Sequence, residues 1–196
     1  MRILAVSDEE CGDFYGCYKP GVLDEYDLIL SCGDLKPYYL EFLASMAKKP
    51  LIYVRGNHDE FLRSHPPKGC ECAEDRIVVW NGIRILGLGG SLRYRDGLDM
   101  YSEQEMSRRI RKLRREIRQT GGFDILLAHA PARGVNDADD LPHRGFECFT
   151  ELLDTYGPAY FLHGHIHKDY GSRFVQVSSH GPTTVINACG HYAFDY

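Results

Sequence analysis

Seven side chains able to bind metal follow five apolar runs in this chain of 196 residues. Asp8 and Glu10 come after the run 3–7, Asp34 after 28–32, Asn57 after 51–55, His129 after 123–128, and His165 and His167 after 159–162. Carboxylate, amide and imidazole donors together form the mixed oxygen and nitrogen set that suits divalent first-row ions. Asp8, Glu10, Asp34 and His167 would serve one ion. Asp34, Asn57, His129 and His165 would serve a second, with Asp34 as the bridge. Two ions about 3.5 to 4 Å apart can clamp a phosphoryl group and acidify a shared water into a hydroxide nucleophile, which is the chemistry of phosphoester hydrolysis. His58, next to Asn57, is placed to protonate the leaving-group oxygen or to stabilise its charge. Asp59 either orients that loop or opens the following element.

The elements that must hold these residues are legible as alternating textures. Runs 3–7, 28–32 and 51–55 have the length of buried strands, and 38–47 between the last two reads as a helix. Strand, helix, strand at this spacing implies parallel crossovers. Segments 76–80 and 83–88 flank Asn81-Gly82, the dipeptide of a type I′ hairpin. A helix follows with Ser102 and Glu105 as its capping box, Met106, Ile110, Leu113 and Ile117 as its buried stripe, and Gly121-Gly122 at its end. Further strands are expected over 123–128, 159–162, 173–177 and 183–188, and a helix over 146–156. In open α/β sheets, ligands gather beyond the carboxyl ends of the strands, so the chain order points to one shared site.

The ordered set Asp8-x-Glu10, Gly33-Asp34, Gly56-Asn57-His58-Asp59, His129 and Gly164-His165-Ile166-His167 resembles the calcineurin-like metallophosphoesterases. Their pattern has histidine where this chain has Glu10. The resemblance implies an α/β fold, a four-layer αββα sandwich with two mixed β-sheets flanked by helices, and a single domain over residues 1–196. It also implies metal-ligand roles for Asp8, Asp34, Asn57, His129, His165 and His167 and a catalytic role for His58. His129-Ala130-Pro131, Gly134-Val135, Tyr170-Gly171 and Ile186-Asn187-Ala188 are similar to the class III cyclic nucleotide phosphodiesterase branch. Leu35-Lys36-Pro37 after Gly33-Asp34 departs from the serine/threonine protein phosphatases.

Side chains alternate along an extended segment, so Asp8 and Glu10 should share a side while Glu9 points away. Three carboxylates and one imidazole would favour Mn²⁺, Fe²⁺ or Mg²⁺ at the first position and raise the pKa of its bound water. The expected cofactors are two divalent ions, Mn²⁺ or Fe²⁺ first, with Zn²⁺ or Mg²⁺ as alternatives.

The expected substrate is a small phosphodiester or phosphomonoester. A net charge of −5 gives no general attraction to nucleic acid or to an anionic membrane. The arginines of the helix beginning near residue 103 fall opposite its apolar stripe, so they read as a solvated face. Arg55, Arg93 and Arg95 read as surface salt bridges. Seven cysteines without a framework spacing, and an N-terminus unlike a signal peptide, fit a cytoplasmic protein. The competing readings are a catalytically weak scaffold that binds protein through the same fold and a nucleic-acid phosphodiesterase. The oligomeric state is left open by the sequence.

Overall fold

The computed structural model describes residues 1–169 and 174–196. In chain order the elements are β1 (Arg2–Ser7), β2 (Leu28–Ser31), α1 (Pro37–Ala47), β3 (Leu51–Tyr53), β4 (Glu71–Cys72), β5 (Arg76–Trp80), β6 (Ile83–Leu88), β7 (Ser91–Leu92) and β8 (Met100–Tyr101). Then come α2 (Glu103–Thr120), β9 (Ile125–Ala128), α3 (Glu147–Tyr156), β10 (Tyr160–His163), β11 (Val177–His180), β12 (Thr183–Asn187) and β13 (Gly190–Asp195). One sheet has the order β13-β1-β2-β3-β4 and the other β11-β12-β10-β9-β6-β5. In the first, β13 runs antiparallel to β1 and the remaining pairs are parallel. In the second, the outer pairs β11–β12 and β5–β6 are antiparallel around a parallel centre.

The inner strands are largely apolar because both of their faces are covered. Ile3 and Ala5 of β1 pack between the sheets with Leu30, Ile85, Leu127 and Ile186, whereas Leu4 and Val6 join Tyr39, Leu40 and Leu43 of α1. On the far side, Leu126 and Phe161 of the second sheet meet Met106, Ile110, Leu113 and Ile117 of α2 and Phe149 and Leu152 of α3. Period-two alternation thus sorts each strand into two cores, and the result is the four-layer αββα sandwich.

The turn and cap chemistry follows the sequence. Asn81 and Gly82 both have positive φ, as a type I′ turn requires. Both halves of the Ser102–Glu105 capping box form, and Gly121 closes α2 in the left-handed conformation. The strand expected over 173–177 begins instead at Val177; Arg173 lies outside the described residues, as does the Tyr170-Gly171 motif. β13, unannounced by any strong alternation, caps the edge of the first sheet on β1.

Two arginines correct the reading of the surface. Arg55 and Arg109 are largely buried and share Glu74, with Arg109 2.7 Å from it and also on Asp75 at 2.8 Å. Fully buried Asp99 pairs with Arg55 at 3.3 Å and with Arg63 at 2.7 Å. This network fixes the residue just ahead of Gly56-Asn57-His58. Removing one partner of a buried pair leaves the others uncompensated, so Asp99→Ala is expected to cost about 3 kcal/mol in urea unfolding. A loss below about 0.5 kcal/mol, typical of a surface change, would contradict the positioning role of the network.

Candidate metal centre

The parallel strands of both sheets end at one edge of the sandwich, and the candidate ligand residues lie just beyond those ends. Asp8 follows β1, Asp34 lies past β2, Asn57 past β3, His129 follows β9, and His165 and His167 lie past β10. Asp8, Asp34 and His165 are left-handed, with φ of 63°, 55° and 68°. Such backbone strain in non-glycine residues persists only where surrounding contacts enforce it. Here the contacts are hydrogen bonds to the carboxylates. The His165 N–H donates to Asp8 Oδ2 at 2.9 Å, joining the two sheets, and the His58 N–H donates to Asp34 Oδ1 at 2.8 Å. Asp59 Oδ2 accepts from both the Asp34 and Gly56 N–H groups, at 2.7 and 2.8 Å, so it orients the loop.

Asp8, Asp34 and His129 present ligand atoms that all lie within 4.8 Å of one another. His129 donates from Nδ1 to the Cys32 carbonyl at 2.9 Å. Its Nε2 then faces Asn57 Oδ1 at 2.9 Å and Asp34 Oδ2 at 3.5 Å. A neutral imidazole with that tautomer would aim a lone pair at two oxygens, an arrangement that only a proton or a cation makes favourable. His165 Nε2 donates to the Pro142 carbonyl at 2.7 Å, which leaves Nδ1 with its lone pair. Asp8 Oδ1 is buried and, among the described residues, receives no well-directed hydrogen bond; His167 Nε2 lies 3.3 Å from it. The donor set therefore fits divalent cations, with Asp8, Asp34 and His129 at its centre.

The electrostatics report the same concentration of negative charge. Burial disfavours the His129 imidazolium, yet Asp34, Asp8 and Asp59 outweigh it and hold the pKa above the ordinary histidine value. Burial likewise works against ionised Asp8, but the contact with His167 and the field of His129 take it down to about 2. Asp59 is pushed up to about 6 by burial and by the Asp34 charge. His165, deeply buried beside His129, is lowered to about 3 and stays neutral, as a ligand must be. His163 is fully buried, donates to the Gly164 carbonyl and is lowered to about 4 by burial, which suits a structural role.

Glu10 is not brought to this group. β1 ends at Ser7 and left-handed Asp8 turns the chain, so alternation does not carry through to residue 10. Glu10 is exposed and accepts a hydrogen bond from Tyr38 Oη at 2.7 Å, whereas Glu9 Oε1 comes within 3.9 Å of His167 Nδ1. His58 lines the open cleft with its Nδ1 3.2 Å from Arg95 Nη2. An arginine can only donate, so Nδ1 accepts and the proton sits on Nε2. Lys36, Tyr94 and His143 complete the wall of this cleft of about 500 Å³. The sequence pattern leaves all three unassigned, because each lies in a loop whose path the strands do not fix. The Tyr94 hydroxyl is 3.4 Å from Asn57 Nδ2.

Residues 1–169 match the family described as calcineurin-like phosphoesterase. The chain belongs to that family, which in general comprises metal-dependent phosphoester hydrolases that use two divalent ions. Among solved structures, one crystal structure matches with a TM-score of 0.69 at 16% identity, covering 99% of this chain and 94% of its own. The crystal structure of TT1561 of Thermus thermophilus matches with a TM-score of 0.68 at 19% identity, covering 96% and 89%. At these identities the likeness is one of fold. No curated protein matches. Among the described residues no helix is long and apolar enough to cross a membrane.

The close approach of Gly164 offers a direct test of how tightly the cluster is built. A Cβ there would lie 2.0 Å from Ser7 Oγ and 2.3 Å from Asp8 Oδ2. Gly164→Ala is expected to weaken Mn²⁺ binding at least about tenfold in calorimetric titration, the scale of outer-shell changes at metal sites. Gly12→Ala, where nothing lies within 4 Å, is the neutral control. Equal affinity in both variants would contradict the geometry.

Proposed function

We propose that this chain hydrolyses small phosphodiesters or phosphomonoesters at a two-metal centre. The observation that carries this reading is His129 Nε2 facing Asn57 Oδ1 and Asp34 Oδ2, a convergence of acceptors that calls for a cation. Asp8, Asp34 and His167 would hold one ion, and Asp34, Asn57, His129 and His165 would hold the other. Bound there, divalent ions, Mn²⁺ or Fe²⁺ first, supply neutralisation of phosphoryl charge and acidify water near neutral pH.

The remaining work falls to the protein's own groups. His58 presents an Nε2–H to the cleft, a hydrogen-bond donor that stabilises the charge developing on the departing oxygen. Arg95 holds that tautomer from the other side of the ring. Lys36 in the cleft wall gives an acidic chain a positive centre for a phosphate oxygen. A volume of about 500 Å³ is in the range of small-ligand sites. The arginines of α2 line a separate groove against α3 rather than this cleft, which favours a small substrate over nucleic acid. The near-complete ligand set favours an enzyme over a binding scaffold.

The test is a Mn²⁺ assay on paired aryl phosphomonoester and phosphodiester substrates. His58→Ala is expected to lower kcat by about 10²- to 10⁴-fold with metal content unchanged. Asp34→Asn is expected to lose both activity and metal. Equal activity in wild type and both variants would refute the mechanism.

A further inference from the structure

A second group of ligand side chains shares only His167 with the pair of positions just described. Glu9, His167 and Cys189 each present one ligand atom, and the three atoms lie within 4.8 Å of one another. The two sides of the His167 ring face different neighbours: Nε2 is 3.3 Å from Asp8 Oδ1, and Nδ1 is 3.9 Å from Glu9 Oε1. Cys189 is buried, and Glu9 reaches solvent with its side chain 44% exposed. The group is also held in place by backbone contacts. Asn187 donates from Nδ2 to the Ile166 carbonyl at 2.8 Å and accepts the Cys189 N–H on Oδ1 at 3.0 Å, so one side chain ties the histidine loop to the cysteine. Ser7 pairs with Cys189 across the same gap, and the Lys168 N–H is directed at the thiol.

We propose that Glu9, His167 and Cys189 form a third cation position, selective for a soft divalent ion such as Zn²⁺ and distinct from the pair bridged by Asp34. Sulfur, nitrogen and carboxylate oxygen at one point make a donor set suited to zinc, which takes three protein ligands and a water in an open tetrahedral site. A tetrahedral zinc holds its ligand atoms about 3.3 to 3.8 Å apart. Glu9 and His167 are already 3.9 Å apart and both reach solvent, so their side chains have room to adjust around an ion, while Cys189 is buried and held by Asn187. Binding exchanges the Sγ proton for the ion, and that proton leaves to solvent. Were His167 Nε2 to hold an ion of the pair, Nδ1 could ligate a second ion only after losing its own proton to solvent. Lys168 Nζ and Glu9 Oε2 both lie within 4 Å of where a Gly190 side chain would begin, so the ammonium stands near the position and its charge opposes a cation there.

Cobalt reads the site directly, because a Co²⁺–thiolate bond gives a near-ultraviolet charge-transfer band that oxygen and nitrogen ligands do not. The full chain is titrated with Co²⁺, with bound metal counted in parallel. Wild type is expected to show the band and three ions per chain. Cys189→Ser is expected to lose the band and one ion, and Glu9→Gln to weaken both. Lys168→Ala is expected to tighten binding. Asp34→Asn should keep the band while losing the other ions, and this separates the two claims. Two ions without a band would overturn this inference and leave the dinuclear reading intact. A band in wild type that persists in Cys189→Ser, or vanishes in Asp34→Asn, would overturn it as well. Circular dichroism of each variant confirms that a lost band reflects a lost ligand rather than a lost fold.

Discussion

Buried negative charge at the ends of the parallel strands is the constraint on which the rest of this structure depends. Asp8 and Asp34 lie within 4.8 Å of the same imidazole, and Asp59 sits behind them. Carboxylates taken out of water at such proximity cost several kcal/mol each unless something positive answers them. The protein supplies only part of the answer. Backbone N–H groups of His58 and His165 each bond one carboxylate oxygen, and imidazoles face the others. The arrangement is complete only with cations, and the left-handed backbone at Asp8, Asp34 and His165 is the strain accepted to reach it.

The sandwich exists, in this sense, to bring two sets of strand ends together. Donors after β1, β2 and β3 come from one sheet and donors after β9 and β10 from the other. Neither sheet alone would carry a full ligand set for either proposed ion. The hydrogen bond from the His165 N–H to Asp8 spans 157 residues of sequence, so the centre is as rigid as the inter-sheet core beneath it. Further back, the Arg55–Glu74–Asp99 network clamps the start of the Gly56-Asn57-His58 loop, and Asp59 clamps its end.

Much of this is legible in the sequence, and the misses share a physical reason. Strand runs, the Asn81-Gly82 hairpin, the Ser102–Glu105 cap and the ligand order depend on local chemistry, and local chemistry is written in local sequence. Extending strand alternation past Ser7 puts Glu10 beside Asp8, but the sign of φ at Asp8 is set by contacts with Gly33 and His165, which are remote in sequence. The helical period assigns Arg109 to a solvated face because it cannot reveal that the loop at Glu74 and Asp75 folds back over it. Lys36, Tyr94 and His143 reach the cleft from loops whose course depends on packing. Cys189 gains meaning only when the end of β12 delivers it beside His167. Periodicity identifies which residues face a core; it does not say which loops meet.

The claim that cations complete this charge cluster is tested most directly by thermal unfolding of the chain, chelated and then reloaded with Mn²⁺, alongside a count of bound metal. An ion that binds only the folded state stabilises it by about 2.7 kcal/mol at a hundredfold excess over its Kd. The account predicts that Mn²⁺ raises Tm by several degrees with at least two ions bound per chain, and that chelation reverses the gain. A chelated protein that unfolds at the same temperature with and without Mn²⁺, and binds none, would contradict it.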